Sequence, residues 1–212
     1  MIAAASSGES APRRPRVFGI GLNKTGTTSL AEALRVLGWC PIHRETSLHG
    51  AHKIRRSVDE ALDRGQRPFA GIPQLERDFN AYFDMRSVER HFPAFDVAYP
   101  GSRFILHTRD LDGWLSSRLH HVRRNVHEGR ESRWTHIDES AWTEEWHAHH
   151  ERVRTYFRDR SDLLTIDVTA GQGWEALAPF LDVQVPSRPF PERNSASRDS
   201  RVKWRTVFRR RD

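Results

Sequence analysis

The chain has 212 residues, enough for one domain with a full core and too few for two ordinary ones. Its 34 basic and 28 acidic residues give a net charge of +6, which suits an anionic ligand; the charges are interleaved instead of forming a block, so no nucleic-acid partner is expected. Cys40 is the single cysteine, which excludes an internal disulfide and a cysteine-based zinc site, and no apolar run is long enough for a signal core or a membrane span, so a cytoplasmic setting is expected.

Residues 1–15 are small, polar and Pro/Arg-containing, and read as a disordered lead. From Val17 the chain reads as a short buried strand, then a tight loop, Gly21-Leu-Asn-Lys24-Thr25-Gly26, then an amphipathic helix from Thr28 to Leu37. That helix carries Leu30, Ala33, Leu34 and Leu37 on one face and is ended by Gly38. Strand, glycine turn and helix N-terminus together make a cradle for an anion, because backbone N–H groups converge there with the positive end of the helix dipole. Lys24 adds a charge, and the hydroxyls of Thr25, Thr27, Thr28 and Ser29 add donors. Such a loop can also be purely structural. Against that, only three of the 34 basic residues are lysines (Lys24, Lys53 and Lys203), and one of them stands in the loop. Gly21 and Gly26 keep the spacing of the nucleotide pattern G-x-x-x-x-G-K-[ST], but Thr27 occupies the lysine position and the lysine lies earlier.

Trp39 to Ile42 reads as a second short strand, followed by a His/Arg-rich loop, 43–52, that is either a solvated connection or part of a ligand site at the carboxyl end of the sheet. Ser57 to Arg64 predicts a short helix capped by Ser57 and stopped by Gly65. Pro68 to Ile72 and Phe79 to Phe83 read as weak strands, with Asp84 at the end of the second. Arg86 to Tyr99 reads as a helix kinked or broken by Pro93. Ser102 to Arg109 is the clearest strand after the first, and it runs straight into a helix, Asp110 to Leu119, whose first turn carries Asp110 and Asp112.

Between Leu119 and Arg160 the chain is rich in His, Trp and Arg. Trp142 and Trp146, four apart on a helix, read as core. His147, His149 and His150 read as a solvated face, since no acid or cysteine is spaced to complete a metal site; no metal is expected anywhere in the chain. A last strand, Leu163 to Asp167, and a helix, Gly173 to Leu181, precede a basic tail.

Two stretches resemble the sulfotransferase family. Asn23-Lys24-Thr25-Gly26-Thr27-Thr28 is similar to its phosphosulfate-binding loop, P-K-S/T-G-T-T, with asparagine in place of proline. Arg109 with Ser117 eight residues later resembles its 3′-phosphate clamp. Tyr99 to Asp110 with Trp114, and Pro189 to Asn194, look like the bacterial group of that family. The resemblance covers roughly residues 16–195. It implies a single three-layer α/β domain with a central parallel sheet flanked by helices, the P-loop NTPase-like sulfotransferase fold, followed by a tail, 196–212. It further implies sulfuryl transfer from 3′-phosphoadenosine 5′-phosphosulfate (PAPS) to a hydroxyl or amine of a small-molecule, glycan or lipid acceptor, without a metal. Lys24 would act on the leaving oxygen, and Thr25, Gly26, Thr27, Thr28, Ser29, Arg109 and Ser117 would hold the nucleotide. Arg193 or Lys203 would fold over the nucleotide, unless the tail is a frayed terminus. For the general base Asp84 comes first and His43 second, while His107, inside a strand, reads as structural; Asp84 can equally be a helix cap. A P-loop kinase or ATPase, and a non-catalytic anion or nucleic-acid binding module, are the competing readings.

Overall fold

The computed structural model describes residues 14–44, 51–130 and 135–192, and its centre is the first strand, β1 (Val17–Gly19), buried along its whole length. β2 (Pro41–His43), β3 (Ala81–Phe83), β4 (Arg103–His107) and β5 (Leu163–Ile166) join it in one sheet, in the order β2-β3-β1-β4-β5. Every pairing is parallel, with Phe18 opposite Tyr82 on one side and Phe104 on the other. Parallel strands need crossover helices, and these cover both faces, so the strands are apolar on both sides. The expected three-layer α/β architecture is what the chain adopts.

Side-chain alternation divides the core. Phe18, Ile42, Tyr82, Phe104 and Leu106 point to one face, where they meet α2 (Ala51–Asp63), α3 (Pro73–Asp78), α4 (Arg86–Ala98) and the end of α6 (Glu139–Tyr156). The ring of Phe18 stacks between Tyr82 and Phe104, with centroids 5.0 and 5.5 Å away. Val17, Ala81, Phe83, Ile105 and Ile166 point to the other face, under α1 (Thr27–Val36) and α7 (Trp174–Phe180). A third cluster of Leu22, Trp114, Val122 and Trp142 lies between α5 (Leu111–His127) and α6, and it anchors both helices to the loop after β1. Among the described residues no helix is long and apolar enough to cross a membrane.

Several elements differ from the sequence expectation. Pro68 to Ile72 is a pair of turns, not a strand: Ala70 and Ile72 donate to Arg67 and Phe69 carbonyls, and Phe69 is a fully buried plug against Tyr82 and Phe95. α2 begins well before Ser57, which lies inside the helix instead of capping it, while Gly65 does end that segment with φ +65°. α5 runs eight residues past Leu119, to His127. The kink before Pro93 is present, with His91 at φ −114°, ψ 23°. His147 is exposed as expected, but His149 and His150 are buried.

Candidate active site

The loop between β1 and α1 is shaped by what it cannot accommodate. A Cβ on Gly21 would lie 1.8 Å from the His107 carbonyl oxygen, and one on Gly26 would lie 2.2 Å from Val168, where φ is also +83°. Lys24 itself sits in the left-handed region, at φ 68°. Only glycine meets the first two demands, so the loop passes closer to β4 and to the 3₁₀ turn at Val168–Ala170 than any other residue would allow.

Buried side chains then hold the loop from beneath. The Trp114 indole N–H donates to the Asn23 carbonyl at 2.8 Å, and His149 Nε2 donates to the Ile20 carbonyl at 2.7 Å. Thr25 Oγ1 donates to the Leu22 carbonyl at 2.6 Å and lies 2.7 Å from His107 Nδ1. A hydroxyl has one hydrogen and the carbonyl can only accept, so His107 must donate from Nδ1. Burial, with lesser contributions from His149 and His43, pushes His107 down to about 3, and burial pushes His149 down to about 4; both are neutral braces at ordinary pH. The Thr25 hydroxyl hydrogen is therefore committed to the loop, so the donor Thr25 could offer an anion is its backbone N–H.

No side chain caps α1, whose N-cap residue is Gly26, so the N–H groups of its first turn are open to a bound anion. Thr27 and Ser29 are buried and Thr28 is partly exposed; Thr27 Oγ1 lies 3.0 Å from His43 Nε2. Across the loop stands the β4–α5 joint. Asp110 caps α5 by accepting from Gly113 N at 2.7 Å, which leaves Arg109 just outside the helix. Arg109 Nε is buried with no hydrogen-bond partner among the described residues. Ser117, His121 and Arg124 follow at i, i+4 and i+7, one face of α5. That face is turned to the loop, since Lys24 and Arg124 both depress His121, which burial first lowers to about 4.

The electrostatics are one-sided. Lys24 is lowered by burial first, then by Arg124, Arg44 and Arg109, with Asp84 opposing them among the described residues. Asp84 ends β3 with φ 54° and does not cap α4, whose N-cap is Met85. Its Oδ2 lies 3.5 Å from Arg44 Nε and 4.0 Å from His43 Nε2. Burial and the Arg44 charge push His43 down to about 4, so it is neutral but a poor base. The structure thus brings Lys24, Thr27, Arg109, Asp84 and His43 to one end of the sheet, on the carboxyl ends of four adjacent strands. Arg193 and Lys203 lie outside the described residues.

His107 is structural as expected, whereas sequence reasoning missed Arg44, Arg124 and the bracing role of His149. Arg124 was within reach of it: had α5 been extended past Leu119, the Ser117-His121-Arg124 spacing would have placed all three on one face. Among the described residues no group of three or more His, Cys, Asp or Glu is arranged to hold a metal ion.

A family profile described as a sulfotransferase domain matches residues 16–147 and 118–198. The chain is also similar to a protein named Ava biosynthesis cluster protein M from Aspergillus versicolor, 24% identical over 231 aligned positions that cover 92% of this chain and 86% of that protein.

Proposed function

The chain belongs to the sulfotransferase-domain family, and on that premise we propose that it moves a sulfuryl group from PAPS to a hydroxyl or amine of a small-molecule acceptor. The observation that carries the donor assignment is Arg109, a guanidinium with its Nε buried and unpartnered, next to a glycine cradle that holds Lys24. Two cation sites in series suit a nucleotide phosphorylated at both 3′ and 5′ ends: the cradle and α1 take the 5′-phosphosulfate, and Arg109 with Ser117 takes the 3′-phosphate. The residues fit that ligand, because the donors are backbone N–H groups at a helix start, the Ser117 hydroxyl, and cations that crowd one another.

In the reaction the acceptor oxygen forms a bond to sulfur while the bond from sulfur to the bridging oxygen breaks, releasing adenosine 3′,5′-bisphosphate. Charge develops on that bridging oxygen, and Lys24, with its ammonium made more acidic by burial and by Arg124, is set to stabilise or protonate it. The acceptor proton passes to Asp84, the carboxylate that Lys24 senses across the site. His43, neutral and depressed to about 4, is the weaker candidate and positions Thr27 instead. The relative's printed name, a biosynthesis cluster protein, supports a small molecule over a glycan or peptide as acceptor.

A thermal-shift comparison tests this reading. Adenosine 3′,5′-bisphosphate at about 100 times its Kd should raise Tm by roughly 5–10 °C with or without chelator. A larger shift with ATP and Mg²⁺ would instead support a kinase or ATPase.

A further inference from the structure

A cavity of about 380 Å³ opens between α2, α4 and α6, at the start of the helix that follows Asp84. That volume is within the roughly 300–1,000 Å³ of small-molecule sites. Its walls are polar: Arg55 and Asp59 from α2, Arg86, Glu89 and Arg90 from the first turns of α4, and Arg152 from α6. It adjoins the reacting centre by two independent routes. α4 starts two residues after Asp84, and Glu89 senses the Asp84 charge. Arg152 lies one residue short of a turn beyond His149, which holds the Ile20 carbonyl of the loop.

Arginines outnumber carboxylates in the cavity wall, four to two; Arg86 lies 3.6 Å from Glu145, and Asp59 is already paired with His91 at 2.8 Å. Burial raises Glu89 to about 7; Glu145 and Asp84 push it in the same direction, against Arg86 and Arg152. At pH 7 it is therefore about half protonated and offers the arginines only part of a charge. Arg152 is fixed as a cation by donating to the Glu89 and Arg90 carbonyls at 2.8 and 3.2 Å. Arg90 is exposed and makes no side-chain hydrogen bond or ion pair with any described residue. A fixed arginine and an exposed one around a polar hollow match a carboxylate or phosphate, which a guanidinium binds through paired N–H donors.

We propose that this cavity seats an anionic group, carboxylate or phosphate, of the acceptor, so that the preferred substrates are small hydroxy or phenolic acids instead of neutral alcohols or phenols. This rests on the sulfotransferase reading, because it takes Asp84 as the point the acceptor hydroxyl must reach. The anionic group enters the arginine-lined hollow and holds the hydroxyl toward Asp84 and the sulfur.

Calorimetric titration of the full chain, saturated with adenosine 3′,5′-bisphosphate, tests it with three probes of one shape: 4-hydroxybenzoate, 4-hydroxyphenyl phosphate and neutral methyl 4-hydroxybenzoate. At least one anion should bind ten or more times tighter than the ester, and the better of the two identifies the group. The Arg55→Gln/Arg90→Gln double variant should weaken that anion at least tenfold and leave the ester unaffected. Equal binding of ester and anions, an anion affinity untouched by the double variant, or no binding of either anion at millimolar concentration overturns the proposal. The bisphosphate Tm rise, measured on the same samples, verifies that the variant is folded. If that rise is missing from the parent protein, the donor reading fails by itself, and the titration is repeated without nucleotide to judge the cavity.

Discussion

Both ends of the sheet are lined with arginine, yet the two ends use it in opposite ways. At the amino end, around a cavity of about 480 Å³, each guanidinium is matched to protein acceptors. Arg16 donates to the Phe79 and Glu76 carbonyls and to Tyr82 Oη at 3.2, 3.2 and 2.7 Å. Arg14 donates to the Leu37 carbonyl at 2.5 Å and lies over Trp39. Arg67 bonds Glu76 at 3.0 Å over the Tyr99 ring, and Glu76 also accepts from Tyr99 at 2.6 Å. At the carboxyl end Lys24, Arg44, Arg109 and Arg124 crowd one another around the Asp84 carboxylate. Paired cations stabilise a fold; crowded ones oppose it and are held in place by the loops that carry them. The difference marks which end is built for an anion from outside the protein.

Substitutions at the two ends should therefore separate stability from activity. Lys24→Ala is expected to lower kcat by about 10²–10³ fold, while Tm holds or rises slightly as a crowded charge disappears. Unchanged turnover would remove Lys24 from the chemistry. Asp84→Asn should lower kcat by about 10² fold and flatten the acidic limb of the pH–rate profile; a profile of unaltered shape points to another base. Arg109→Ala is expected to raise the Kd for adenosine 3′,5′-bisphosphate about 10–100 fold with little change in Tm. Arg16→Ala should do the reverse, costing about 2–3 kcal/mol of unfolding free energy and leaving nucleotide affinity intact. If Arg109→Ala destabilised the fold as much as Arg16→Ala, the contrast between the two ends would collapse.

The carboxyl end was the more legible of the two in the sequence. Its parts sit on strong local patterns: an apolar strand, a glycine turn with an out-of-place lysine, and a second strand running into a helix with an acidic first turn. Those patterns singled out Lys24, Thr27 and Asp84 as candidates, and the family resemblance added Arg109 and Ser117, all without any tertiary information. What braces them was hidden, because it depends on partners far along the chain. His149 and His150 read as polar on an exposed face, yet Trp142, Trp146, His149, His150 and Val153 form one stripe at i, i+4, i+7, i+8 and i+11. In that stripe neutral imidazoles fill apolar positions, and their N–H groups bond Ile20 and Trp146 carbonyls. No local rule distinguishes such a histidine from a solvated one. Pro68 to Ile72 failed for a related reason: an apolar run bounded by proline and glycine fits a buried strand or a buried turn equally, and Phe69 plugging the core decided it.

The smallest expected effect comes from Glu89, which lies between a structural and a functional role. Its side chain keeps some exposure, but the carboxyl is closely surrounded by protein, and its pKa is raised from the ordinary 4.5 to about 7. The folded state therefore holds a proton that the unfolded chain releases near 4.5, so stability falls as pH climbs from that value and levels off above about 7. Glu89→Gln removes the penalty. It should match the parent at pH 4 and be more stable by about 1–2 kcal/mol at pH 8, after discounting for partial solvent access. Urea titrations at those two pH values measure the gap. An anion in the adjoining cavity adds negative charge beside Glu89 and should favour its protonated form further, so anion binding to the parent should weaken as pH rises through 7. In Glu89→Gln that slope should flatten. Stability that responds while anion affinity does not would make Glu89 a buried acid with no part in recognition. A response in both would tie the pH dependence of the fold to the occupant of the cavity.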